Sequence, residues 1–171
     1  MNKPVGILVV LLFVAAACAP APPPVQGTPD DEVVIRGLAS KYSASFNTGD
    51  AAALAQMVTE DFENIAADGT HTKGRAAFQQ MEETGIKGRK DAGLNLTLNA
   101  STGYVKWISA THAVGGGTFS MTGLPPGAAD KGAWIVVFKK SADGKWLMAN
   151  SLVAEYMAPP PPPPAPKGKG K

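Results

Sequence analysis

Proline divides this chain before any other residue type is considered. Of its 15 prolines, only Pro125 and Pro126 fall between Asp30 and Ala158. The rest crowd the first 29 residues and the run from Pro159 to Pro166. Proline has no backbone N–H and a fixed φ, so proline-dense segments cannot join a helix interior or a sheet ladder. One foldable stretch remains, residues 28–158, long enough for a single core and too short for two.

The flanks read differently from each other. Residues 1–17 carry Lys3 and then an uncharged apolar run from Val5 to Ala17. That run is too short to span a membrane and suits an export signal. It ends in Val14-Ala15-Ala16-Ala17-Cys18. Small residues before the sole cysteine resemble a bacterial lipobox, with Cys18 as the lipidated new N-terminus, although Ala15 stands where leucine is favoured. Cleavage after Ala15-Ala16-Ala17 is the rival reading. Residues 18–27, with Ala19-Pro20-Ala21-Pro22-Pro23-Pro24, read as a stiff tether. The expected address is the periplasmic side of a bacterial outer membrane, or secretion or the periplasm if Cys18 is not lipidated. The tail, residues 159–171, is polyproline followed by Lys-Gly-Lys-Gly-Lys. Such composition cannot build a core. It is either a solvated tail or an arm offering lysines to an anionic surface.

Charge narrows the function. The formal net charge of +2 includes four lysines in the flanks: Lys3, Lys167, Lys169 and Lys171. The stretch from Asp30 to Ala158 keeps 12 basic and 14 acidic residues, which argues against a nucleic-acid face. One cysteine and two histidines, His71 and His112, give no basis for an internal disulfide or a multi-ligand metal site, and no cofactor is expected.

Within the domain, Thr28-Pro29-Asp30-Asp31 starts a helix, with Thr28 as cap and proline in the first turn. Ile35, Leu38, Tyr42 and Phe46 form one apolar stripe, and Gly49 supplies the left-handed end. Asp50 can cap a second helix carrying Leu54, Met57 and Val58. Phe62 to Ala66 predicts a strand, with Asp68-Gly69 as the turn after it. His71 is expected in a loop before a third helix, which carries Ala77, Phe78 and Met81 and ends near Gly85. Period-two alternation then begins at Leu94, Leu96 and Leu98, with continuation to Ile108 and a bend at Gly103. Ala113–Thr122 is the next strand, and Gly115-Gly116-Gly117 suggests a bulge in it. Ala133–Lys139 and Trp146–Tyr156 form a final hairpin across Ser141-Ala142-Asp143-Gly144. The class is α+β, with helices on one face of an antiparallel sheet.

Several of these segments, in this order, resemble SnoaL-like proteins of the nuclear transport factor 2-like superfamily. They are Phe46-Asn47-Thr48-Gly49-Asp50, Glu60-Asp61-Phe62, Asp68-Gly69-Thr70, Lys73-Gly74-Arg75-Ala76-Ala77-Phe78 and the closing Trp134–Trp146 hairpin. The resemblance covers roughly residues 30–157. It implies a cone in which a curved antiparallel sheet wraps a long helix and leaves a pocket at the open end. It also implies that sheet faces pair, so a homodimer is expected.

That superfamily includes ketosteroid isomerases as well as proteins that only bind, so the residues must decide. Tyr42 stands eight residues before Asp50, the spacing of the isomerases' oxyanion-hole tyrosine. Their carboxylate base falls on Ala66 here and their second donor on Trp134, so the isomerase set is incomplete. Asp68 and His71 remain as catalytic candidates beside Tyr42. Strand alternation puts Asn64 on the same side as Phe62, and Ser151 with Val153 and Glu155. The expected pocket wall is Tyr42, Phe46, Phe62, Asn64, Trp107, Phe119, Met121 and Trp134. Apolar walls with few polar groups suit a small apolar ligand. The leading expectation is a binding domain for such a ligand or an envelope partner. An isomerase- or cyclase-like enzyme and a structural envelope protein are the alternatives.

Overall fold

The computed structural model describes residues 26–156. The expected export signal, Cys18 as the expected lipidation site, most of the expected tether and the Pro/Lys tail lie outside the described residues. The elements run α1 (Pro29–Thr48), α2 (Ala51–Ala55), β1 (Val58–Ile65), β2 (His71–Lys73), α3 (Arg75–Asp91), β3 (Thr97–Ser109), β4 (His112–Thr122), β5 (Lys131–Lys140) and β6 (Trp146–Glu155). The strands form one sheet in the order β2-β1-β6-β5-β4-β3. The fold is the α+β cone: α1 and α3 pack inside a curved sheet.

Local chemistry sets the start and end of α1. The Thr28 side chain accepts from the Asp31 backbone N–H, and Asp31 accepts in return from the Thr28 N–H, each at 3.1 Å. Gly49 closes the helix at φ +70°. Asp31 has a second task. Its Oδ1 accepts from Trp146 Nε1 at 2.7 Å and from Lys140 Nζ at 2.8 Å, tying the helix start to the β5–β6 hairpin. Trp107 packs on Trp146 there, with ring centroids 5.6 Å apart. This is the closed end of the cone.

Further along, α1 covers the free edge of β3 with side chains. Asn47 bonds both backbone groups of Leu98, at 2.7 and 3.0 Å, and the Ser43 hydroxyl accepts from the Ala100 N–H at 2.9 Å. An edge that would otherwise invite another strand is thereby occupied. The core between helices and sheet is built on Ile35, Leu54, Val58, Phe62, Phe78 and Phe138.

Several sequence expectations are corrected. Val58 opens β1 instead of extending α2, because the sheet draws the chain in at Met57, whose carbonyl accepts from the Met148 N–H. The sheet is antiparallel apart from one pair: β1 runs parallel to β6, with Asn64 opposite Ser151. His71 lies in the short strand β2, not in a loop, because the Asp68-Gly69 turn folds β2 back onto β1. The third helix does not stop near Gly85. It continues through Gly85 and Gly88 to Asp91, since both glycines stand clear of any neighbour and cost only about 1 kcal/mol each as poor helix formers. Leu94 and Leu96 precede β3, which begins at Thr97.

The glycine triplet is not a bulge. The extra residue is Gly103 on β3, where pairing steps from Thr102–Gly117 to Tyr104–Gly116. The triplet instead seats aromatic rings. A Cβ on Gly115 would fall 2.8 Å from the Phe138 ring and on Gly116 2.7 Å from Tyr104, while on Gly117 it would collide with the Ser101 carbonyl oxygen and fall 2.9 Å from Trp134. Large rings can lie flat along the sheet because the neighbouring strand has no side chain there.

Candidate functional site

The open end of the cone holds a cavity of about 380 Å³. Helices α1 and α3 and strands β1, β4, β5 and β6 supply most of its wall. From α1 come Leu38, Tyr42 and Phe46, the stripe read from the sequence. From β1 come Phe62 and Asn64, sharing one face as alternation required, with Ala66 just beyond the strand's end. Phe119 and Trp134 form the far wall, with Phe119 crossing Gly132 as Trp134 crosses Gly117. Ser151, Val153 and Glu155 complete it from β6, Glu155 at the exposed rim.

The remaining supplier is α3, aimed by its first turn. Gly74, at φ +87°, gives its N–H to the Phe62 carbonyl at 2.6 Å. Arg75 donates through Nε and Nη2 to the Val58 carbonyl, at 3.0 and 2.6 Å, and pairs with Glu60. This clamp fixes the rotation of the helix. Phe78 then meets Phe62 edge-on at 5.0 Å, and Met81 and Glu82 reach the cavity.

Glu82 is the residue that the sequence reading missed. It is 8% exposed, and its Oε1 accepts from the Tyr42 hydroxyl at 2.9 Å. Burial pushes its carboxyl above the ordinary glutamate value, against the pull of Tyr42's hydrogen bond and the charge of Arg89. Burial likewise raises Tyr42 well above its usual value, and the Glu82 charge adds to the effect. The guanidinium of Arg89 lies over the Phe46 ring, 3.9 Å from its centroid. A signal for Glu82 did exist: it stands four residues after Phe78, on the inward stripe of the same helix.

A second polar pair sits on the opposite side. Ser151 Oγ donates to Asn64 Oδ1 at 2.5 Å, joining β1 to β6 through side chains. Trp134 Nε1 is buried without an acceptor among the described residues.

Of the residues expected at the pocket, Tyr42, Phe46, Phe62, Asn64, Phe119, Met121 and Trp134 line the cavity. Trp107 does not: its ring is taken up at the closed end, over Gly27 and against Trp146. Asp68 and His71 are also outside. Asp68 is exposed in its turn, where the Thr70 N–H donates to it at 2.8 Å and holds its carboxyl below the ordinary value. His71 is exposed on β2 and lies 3.3 Å from Glu63, a carboxylate partner that the sequence reading had not found for it.

Solved structures match this architecture closely enough to define the fold. A domain of unknown function with a cystatin-like fold from Nostoc punctiforme aligns at TM-score 0.65 and 19% identity, covering 77% of this chain and 80% of that one. A ketosteroid isomerase-like protein from Erwinia carotovora atroseptica aligns at TM-score 0.61 and 18% identity, covering 77% and 100%. A protein of unknown function from Shewanella oneidensis, described as NTF-2 like, aligns at TM-score 0.58 and 19% identity, covering 74% and 99%. No protein-family model and no curated protein matches the chain. The likeness establishes the nuclear transport factor 2-like fold and leaves function to the site.

Proposed function

We propose that this chain is an exported SnoaL-like domain, anchored through a lipid at Cys18, that binds a small apolar ligand in its cone. One observation carries the reading: an open cavity of about 380 Å³ whose wall is aromatic and aliphatic apart from a few polar side chains. A neutral naphthalene dye should give a saturable rise in emission with the full chain. Ala100→Phe, which adds a ring to the cavity wall, should abolish it. No saturable binding of the dye would count against the reading. The anchor is tested separately, since Cys18→Ser should move the protein from the membrane to the soluble fraction.

Catalysis is the second reading, and it rests on Tyr42 with Glu82 rather than on Asp68 or His71. Tyr42 has a single hydroxyl hydrogen, and it is given to Glu82. While that bond stands, Tyr42 cannot also donate to a developing oxyanion, and this favours binding over isomerase-like chemistry.

The outer face of the sheet supports a homodimer. Ile65 is opposite Leu152, Leu152 opposite Ile135, Ile135 opposite Gly116, and Gly116 opposite Tyr104. Ile65, Leu152, Ile135 and Tyr104 are all exposed, so the register draws an apolar row across the sheet. Leu152→Glu should convert a dimer to a monomer in sedimentation. A wild-type monomer at high concentration would remove the dimer from the proposal.

A further inference from the structure

The charge balance of the cavity narrows the ligand class, granted the binding reading above. Its ionisable wall groups are Tyr42, Glu82 and Glu155, and no lysine, arginine or histidine lines it. Every ionisable group on that wall is therefore neutral or negative. A long-chain or aromatic carboxylate would enter without a cation to meet it and would face Glu82.

Glu82 itself is under-compensated. Tyr42 supplies one hydrogen bond to Oε1, and among the described residues Oε2 has no hydrogen-bond partner and the carboxyl no ion pair. Arg89, seven residues further along the same helix, is stacked over Phe46. Asn64 and Ser151 are bonded to each other. Buried carboxylates are normally paired or receive several donors. Glu82 lines the cavity, so a donor brought by a ligand there can reach it.

We propose that the cavity selects an apolar molecule bearing a protonated amine, whose N–H groups pair with Glu82, and discriminates against apolar carboxylates of the same shape. The apolar body lies against Phe62, Phe119 and Trp134, and the ammonium sits at the Tyr42–Glu82 end. A neutral alcohol can donate to Glu82 but brings no charge, so it ranks between the two.

Three probes that share one ring system test this: naphthylmethylamine, naphthylmethanol and naphthoate, titrated into the full chain by calorimetry at neutral pH. The amine should bind about tenfold tighter than the alcohol, the scale of a charge-assisted hydrogen bond, with the carboxylate weakest. Glu82→Gln should bring amine and alcohol to within about threefold of each other, and Glu155→Gln at the rim should preserve the ranking. If the carboxylate binds as tightly as the amine, or if Glu82→Gln leaves the preference intact, the selection is overturned while ligand binding stands. If all three bind equally, selection fails in the same way. If none binds, the binding reading fails with it. The wild-type ranking requires no variant to fold.

Discussion

Asp31 and Glu82 are both buried helix carboxyls, yet the chain surrounds them differently. Asp31, at the closed end, receives hydrogen bonds from the Thr28 backbone and hydroxyl, from Lys140 and from Trp146. Glu82, at the open end, receives one, from Tyr42. The consequence is electrostatic. Lys140, Trp146 and Thr28 hold the Asp31 carboxyl far below the ordinary aspartate value. Burial raises that of Glu82. A carboxyl supplied with donors fastens a fold, whereas one left short of them is poised to meet something else. The same helix–sheet architecture therefore has a structural end and a binding end.

The largest expected effect breaks the first half of this comparison. Asp31→Ala removes a helix cap and leaves Trp146 Nε1 and Lys140 without their acceptor. The cost should be about 3 kcal/mol, seen as a lower urea midpoint with an unchanged slope. Glu82→Gln should do the reverse. Replacing an under-compensated charge by a neutral amide should stabilise the fold by about 1 kcal/mol at neutral pH, while it impairs amine binding.

The pH dependence separates the two groups by sign. Asp31 is depressed, so its contribution is present above its unfolded pKa and is lost as pH falls through the folded value. Glu82 is raised, so its ionisation opposes folding above the folded pKa, and the penalty is relieved as pH falls toward the unfolded value. Stability should therefore gain from Glu82 on mild acidification and lose from Asp31 only at strongly acid pH. In Glu82→Gln the first of these slopes should vanish from urea melts taken across the acid range. Tyr42→Phe takes from the buried Glu82 carboxyl its one donor, so it should destabilise the fold by about 1–2 kcal/mol at neutral pH. It should also push the Glu82 carboxyl higher still.

The two ends were not equally legible in the sequence. The closed end announces itself locally: Thr28-Pro29-Asp30-Asp31 spells a helix start, and the structure adds only that Asp31 also reaches Lys140 and Trp146. Much of the cavity wall was legible too. The helical stripe of Leu38, Tyr42 and Phe46 and the alternation of Phe62 with Asn64 depend on period alone. Trp107 was misplaced because a tryptophan on a curved strand can face either end, and only the tertiary position of Trp146 decides. Glu82 was missed although it lay inside the expected third helix, because a glutamate on a helix is ordinarily solvent-facing and only the tertiary position of Tyr42 shows that it is buried. The glycines of β4 misled for a related reason. What they accommodate is rings from the neighbouring strands, a long-range fact that no local pattern carries.

The contrast between the two carboxyls can be measured in one experiment on the intact chain, a carbon NMR pH titration of the side-chain carboxyls. Glu82 should titrate above an ordinary glutamate, and addition of naphthylmethylamine should pull it down. Asp31 should remain ionised to strongly acid pH and be indifferent to the amine. A Glu82 carboxyl that titrates at or below the ordinary value, unmoved by the amine, would contradict the account of the open end.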